Sequence, residues 1–125
     1  MCKYQRGKVK MWSWQEGRQD GGGYFVFHIW RWMFDVILIK FPEGSEIKEH
    51  IDPVDKGRHY RATIILKHAC KGGKFVVHYS HVDGFASRPM IDLPRFKLFR
   101  PDIQVHSVTK VEKGTRWTLS IGWIK

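Results

Sequence analysis

Two tripeptides in this chain, His50-Ile51-Asp52 and His81-Val82-Asp83, repeat one pattern, and a further histidine, His106, lies downstream of both. In an extended strand residues i and i+2 project from the same face, so His-x-Asp sets an imidazole beside a carboxylate without any loop. Two imidazoles and one carboxylate around an ion, with the opposite positions open, form the donor set that suits O2-activating non-haem Fe(II). Among seven His and 12 acidic residues a chance tripeptide is expected, so spacing has to separate the two copies. If the third ligand stands on a later strand beside the first in a closed barrel, the chain must cross to the other sheet and return. That excursion takes roughly 40 to 60 residues. His106 follows Asp52 by 54 residues and Asp83 by only 23. The first separation leaves room for the barrel, and Pro53 ends strand pairing directly after Asp52. His50, Asp52 and His106 are therefore the candidate metal ligands and catalytic residues.

Arg116 stands ten residues beyond His106, across the turn Glu112-Lys113-Gly114, so the two can face one cavity from paired strands. A planar guanidinium grips a carboxylate through two parallel hydrogen bonds. The strand carrying it alternates cleanly. Trp117, Leu119, Ile121 and Trp123 take one face and Arg116, Thr118, Ser120 and Gly122 the other. The small polar face leaves room for a ligand, and the bulky face is expected to lie against a hydrophobic core. Arg61 and Thr63 share a face opposite Ala62, Ile64 and Leu66 and are further candidates to line the cavity beside Arg116 and Thr118.

The elements that must position these residues are strands. Apolar residues recur at strand spacing, rich in β-branched and aromatic types, and no run of ten or more residues holds a 3.6 period. Strands are expected over 9–15, 24–30, 33–41, 47–52, 60–67, 74–79, 96–100, 104–111 and 115–123. Turn formers separate them: Gly21-Gly22-Gly23, Pro42-Glu43-Gly44-Ser45, Asp55-Lys56-Gly57, Lys71-Gly72-Gly73 and Glu112-Lys113-Gly114. Nine short strands in one chain suit an all-β barrel or two-sheet sandwich.

With 125 residues, 42% hydrophobic and 14% aromatic, the chain is expected to fold as one domain over 1–125. No apolar run approaches the roughly 20 residues of a membrane span, since Val36-Ile37-Leu38-Ile39 is flanked by Asp35 and Lys40. The first residues lack the apolar region of a secretory signal, and two cysteines, Cys2 and Cys70, make no disulfide framework; a cytoplasmic setting is expected. The 22 Lys and Arg exceed the 12 acidic residues to give a net charge of +10, which attracts polyanions such as nucleic acid or an acidic protein.

His50-x-Asp52, Gly72-Gly73-Lys74-Phe75, His106-Ser107-Val108, Val111-x-x-Gly114-x-Arg116 and Trp123 occur in the order of the motifs of the Fe(II)- and 2-oxoglutarate-dependent dioxygenases. The stretch from Asp35 to Trp123 resembles in particular the compact prolyl-hydroxylase-like group, which includes small bacterial and phage proteins. The resemblance implies a double-stranded β-helix, jelly-roll and cupin-like, with additional N-terminal strands. It implies Fe(II) on His50, Asp52 and His106, with 2-oxoglutarate chelating the iron and directing its far carboxylate to Arg116. Arg116-Trp117-Thr118 resembles the Arg-x-Ser/Thr pair that holds this carboxylate. The implied reaction converts 2-oxoglutarate and O2 to succinate and CO2 while hydroxylating a substrate.

Two rival readings need different chemistry. In a basic β-barrel that binds nucleic acid without catalysis, Trp12, Trp14, Trp30 and Trp32 would be stacking platforms and His-x-Asp an accident. That rival leaves the Arg116 strand with its small-residue face unexplained; a third possibility is a jelly-roll metal protein that uses no 2-oxoglutarate. His28, His59, His68, His78 and His81 read as solvated or hydrogen-bonded histidines, and Gly72-Gly73 as a tight turn.

Overall fold

The computed structural model describes residues 11–17, 19, 21–82, 84 and 87–125. Cys2, Lys3, Arg6, Lys8, Lys10, Asp83 and the first two residues of the expected strand 9–15 lie outside the described residues. Thirteen strands occur among those described: β1 Trp14–Glu16, β2 Gly21–Gly22, β3 Phe25–Trp32, β4 Phe34–Phe41, β5 Glu46–His50, β6 His59–Lys67, β7 Lys71–Gly72, β8 Phe75–Ser80, β9 Ile91–Leu93, β10 Phe96–Phe99, β11 Gln104–Val108, β12 Val111–Lys113 and β13 Arg116–Ile124. No helix of the described residues is long and apolar enough to cross a membrane.

Seven strands form a sheet in the order β1-β3-β4-β13-β6-β10-β9 and four form a second, β2-β5-β11-β8, with β7 and β12 as a separate pair. All the strand pairings within these sheets are antiparallel. From β4 the chain passes to the small sheet with β5, returns with β6, crosses again with β8, returns with β10, crosses with β11 and closes on β13. This alternation winds a double-stranded β-helix, and β1 to β3 are the additional strands ahead of it.

The expected strand 104–111 is two elements. The Thr109 amide donates to the Lys74 carbonyl and its hydroxyl accepts from the Lys74 amide, and the amide of Val111 donates to the Ser45 carbonyl, so the chain leaves the small sheet there to pair β12 with β7. That pairing depends on Gly72. Its φ is +73°, and a Cβ would lie 2.1 Å from the Lys110 carbonyl oxygen.

Tyr24, Phe41, Val108 and Val111 form the buried core, with Val26, Ile39, Ile47, Ala69 and Phe75 packed around it. This apolar plug fills the end of the barrel where β13 begins. Beyond it the space between the sheets stays open as a cavity of about 250 Å³.

β13 reverses an expectation. Arg116, Thr118, Ser120 and Gly122 are buried, whereas Trp117, Leu119, Ile121 and Trp123 are only partly so. The bulky residues face outward, not onto a core. They stand in rows with their cross-strand neighbours, Leu38-Leu119-Ile64, Val36-Ile121-Ala62 and Phe34-Trp123-Tyr60. Phe34, at one row end, is exposed, and Trp32, which pairs with it from β3, is 69% exposed, whereas Tyr60 at the other end is half-buried.

Candidate metal centre

β5 and β11 are neighbours in the small sheet, and His50 stands directly opposite His106 in their register. The register of β11 shifts on both sides of His106, against β5 and against β8. Such an irregularity re-aims a side chain relative to the regular pleat. The two imidazoles end up with ring centroids 4.3 Å apart. Asp52 follows β5, where its amide donates to the Pro101 carbonyl at 2.7 Å and fixes the backbone just past the strand.

One oxygen of Asp52, Oδ2, lies 3.6 Å from Nε2 of His50 and 3.6 Å from Nε2 of His106. On the far side of each ring, Nδ1 lies 2.8 Å from the backbone carbonyl two residues earlier, of Lys48 for His50 and Gln104 for His106. A carbonyl only accepts, so each Nδ1 carries a hydrogen, and Nε2 is the ring nitrogen turned toward Asp52. Protons on the two Nε2 atoms balance the Asp52 charge in the metal-free site; when a cation displaces them, two lone pairs and a carboxylate oxygen converge on it. Ligand bonds of about 2.1 Å at right angles span an edge of about 3 Å, so a bound ion would draw together donors that lie within 4.8 Å of one another. Nitrogen, nitrogen and carboxylate donors suit Fe(II) and its transition-metal neighbours better than Ca²⁺ or Mg²⁺. Burial alone would raise the Asp52 carboxyl; the hydrogen bonds and charges of His106 and His50 outweigh it and hold the group well below the usual carboxylate range. These three are the one cluster of metal-ligating spacing among the described residues. His81 lies exposed on a bend outside it.

The opposite wall of the cavity is the inner face of β13, and Arg116, its first residue, is 2% exposed. Its guanidinium carbon lies 5.0 Å from the centre of the Phe41 ring, and no carboxylate among the described residues pairs with it. Burial lowers its pKa to about 10, which leaves it charged at neutral pH. Two residues along the same face, Thr118 is 1% exposed and its hydroxyl has no hydrogen-bond partner among the described residues. A buried unmatched cation beside a buried unmatched hydroxyl costs stability and forms a seat for an anion.

Arg61 and Thr63 both line the cavity, as expected, but Arg61 has its own partners. One of its terminal nitrogens donates to both Asp35 oxygens at 2.9 and 3.0 Å, and the other to the Ser120 hydroxyl at 2.8 Å. Its charge is thus matched within the wall, unlike that of Arg116. Sequence reasoning missed Asp35, although an acid heading the apolar run of β4 was a legible signal. It also missed His59, which is buried in the cavity wall; burial, with Arg61 beside it, lowers its pKa to about 4. Gln19, which donates to Asp52, gave no signal within its glycine-rich surroundings.

No family model matches the sequence, and no curated protein matches it. Solved structures do. A prolyl-4-hydroxylase from Pseudomonas putida aligns with 74% of this chain and 49% of its own, at TM-score 0.54 and 19% identity. The cupin domain of Cnp3 from Schizosaccharomyces pombe aligns with 89% of this chain and 69% of its own, at TM-score 0.51 and 13% identity. The fold is the jelly-roll double-stranded β-helix of the cupins. The chain spans about half the length of the hydroxylase, and identities this low speak to fold alone.

Proposed function

We propose that this chain is an Fe(II)- and 2-oxoglutarate-dependent dioxygenase that hydroxylates its substrate. The supporting observation is the pairing, across one cavity, of the His50, Asp52 and His106 donors with a buried guanidinium that has no carboxylate of its own. A cupin metal site without a dicarboxylate cosubstrate gives Arg116 and Thr118 no partner, and neither does a nucleic-acid-binding barrel.

When bound, Fe(II) and 2-oxoglutarate supply O2 activation and the oxidation of a C–H bond, with succinate and CO2 as coproducts. The chain supplies placement. His50 and His106 are held in one tautomer by the carbonyls of Lys48 and Gln104, and Asp52 contributes the negative charge that partly neutralises a divalent ion. Arg116 and Thr118 take the far carboxylate of 2-oxoglutarate by charge-assisted hydrogen bonds. Ile37, Ile39, Phe41 and Phe99 line the space between and exclude water. A net charge of +10 favours an anionic macromolecule as substrate. Uncoupled succinate production should then be stimulated by nucleic acid or acidic protein and lose that stimulation as salt rises; stimulation by neutral small molecules alone rejects this substrate class.

The central test is anaerobic titration with Fe(II) and 2-oxoglutarate, watching for the weak visible charge-transfer band of their chelate. The wild type should develop it. Arg116→Ala should keep its Fe(II) affinity and need roughly ten- to a thousand-fold more 2-oxoglutarate, with Arg116→Lys recovering part of the loss. An Arg116→Ala protein with wild-type demand for 2-oxoglutarate rejects the reading.

A further inference from the structure

The two oxygens of Asp52 have different partners. Oδ2 faces both imidazoles, and Oδ1 accepts a hydrogen bond from the Gln19 side-chain amide at 2.9 Å. We infer that Gln19 is a positioning residue of the metal centre: it occupies Oδ1 of Asp52, so that the carboxylate offers a single oxygen to the ion. The inference rests on the metal-centre part of the reading above and does not need 2-oxoglutarate.

Gln19 is held in place from behind. Its backbone N–H donates to the Tyr24 hydroxyl at 2.8 Å, and Tyr24 is buried and stacked on Phe41, with ring centroids 5.5 Å apart. Gly17, two residues before, donates its N–H to the Tyr24 carbonyl. A Cβ at Gly17 would sit 2.0 Å from the Tyr24 ring, so the chain presses against that ring only because the residue is glycine. The amide that meets Asp52 is thus anchored to the apolar plug of the barrel and does not hang from a free loop. An oxygen of a carboxylate only accepts, so the side-chain NH2 of Gln19 is the group that faces it.

A carboxylate can bind an ion through one oxygen or two, and the second mode consumes a position that a cosubstrate or O2 needs. An N–H on Oδ1 opposes the second mode. It also stiffens the ligand, as partners behind metal ligands do, with losses of 10- to 100-fold in affinity when they are removed.

The test uses Co(II) as the probe with the full chain, following affinity by calorimetry and coordination by the visible ligand-field spectrum. Gln19→Met keeps the length of the side chain and removes the N–H. It should bind Co(II) 10- to 100-fold more weakly, with altered ligand-field intensity, while metal-free thermal unfolding stays at the wild-type temperature. A purely structural residue would shift unfolding and leave the spectrum alone. If Gln19→Met lowers metal-free stability, Gln19→Glu decides: nearly identical in shape, it sets a carboxylate against Oδ1 and should also change the spectrum. Wild-type affinity and spectrum in either folded variant overturn the role. A wild type that binds no Co(II) overturns it together with the metal centre, whereas one that binds Co(II) but not 2-oxoglutarate rejects only the dioxygenase reading.

Discussion

The two faces of β13 have opposite chemistry and opposite exposure. Inward stand a cation, two hydroxyls and a glycine, all buried; outward stand two tryptophans, a leucine and an isoleucine, all partly exposed. In a half-buried sheet the hydrophobic effect assigns the apolar face to the interior. Here the closure of the barrel assigns the interior instead, and the polar groups inside are either matched within the wall or left for a ligand. Ser120 and Arg61 are matched, with Asp35 as the third partner, and Arg116 and Thr118 are left open. The outer face is shielded only in part. Its side chains shield one another in rows across strands, and Trp123 stacks on Tyr60 at 5.9 Å and 13°. The difference teaches that barrel closure, not hydrophobicity, decides which face of β13 lies inside, and that only the plug around Phe41 has the composition of a core.

Exchanging the chemistry of adjacent positions should break this comparison most visibly. Ser120→Leu puts a bulky apolar group into the cavity wall and removes the acceptor of Arg61. Overpacking and the lost hydrogen bond together should cost about 3 kcal/mol in urea unfolding. The reverse exchange next door, Leu119→Ser, removes a partly exposed side chain and should cost about 1 kcal/mol. Equal costs at the two positions would show that the faces do not differ in the way their burial states.

How much of this was legible follows from what periodicity carries. Alternation showed that β13 has two unlike faces, and the two-residue spacing showed that His50 and Asp52 can stand together, because both facts are local in the chain, although β5 ends at His50 and Asp52 lies just past it. Alternation set the polar face on the cavity, where Arg116, Thr118 and Ser120 stand, but it also set the bulky face against a core, which fails because closure by β4 and β6 leaves that face on the outside. The partnership of His50 with His106 was reached through the length of the excursion between them. The register shift that aims His106 was not, because it arises between β5, β11 and β8 and leaves no mark in any one of them. Gln19 meets Asp52 across 33 residues. Arg61 was placed in the cavity by its position in β6, but its match with Asp35 needs β4 and β6 on either side of β13, which only the sheet order supplies.

That sheet order gives the sharpest prediction, at Gly122. It lies opposite Asp35 on one side and Arg61 on the other, and the Arg61 side chain passes over it to reach Asp35. A Cβ at Gly122 would stand 2.2 Å from the terminal nitrogen of Arg61 and 2.6 Å from its guanidinium carbon. Gly122→Ala therefore displaces the guanidinium, and the bonds to Asp35 and Ser120 go with it. The cost should be about 1 to 2 kcal/mol, because a buried carboxylate loses its partner while Arg61 can still relocate toward the cavity. In an Arg61→Ala background nothing remains for the new methyl to strike. The same substitution should then be neutral or stabilising by about 0.5 kcal/mol, the usual benefit of replacing a strand glycine. A double-mutant cycle measured by chemical denaturation reads this change of sign directly. If the two substitutions add, Gly122 is not what lets Arg61 lie across β13, and the matched half of the inner wall is held by something other than that glycine.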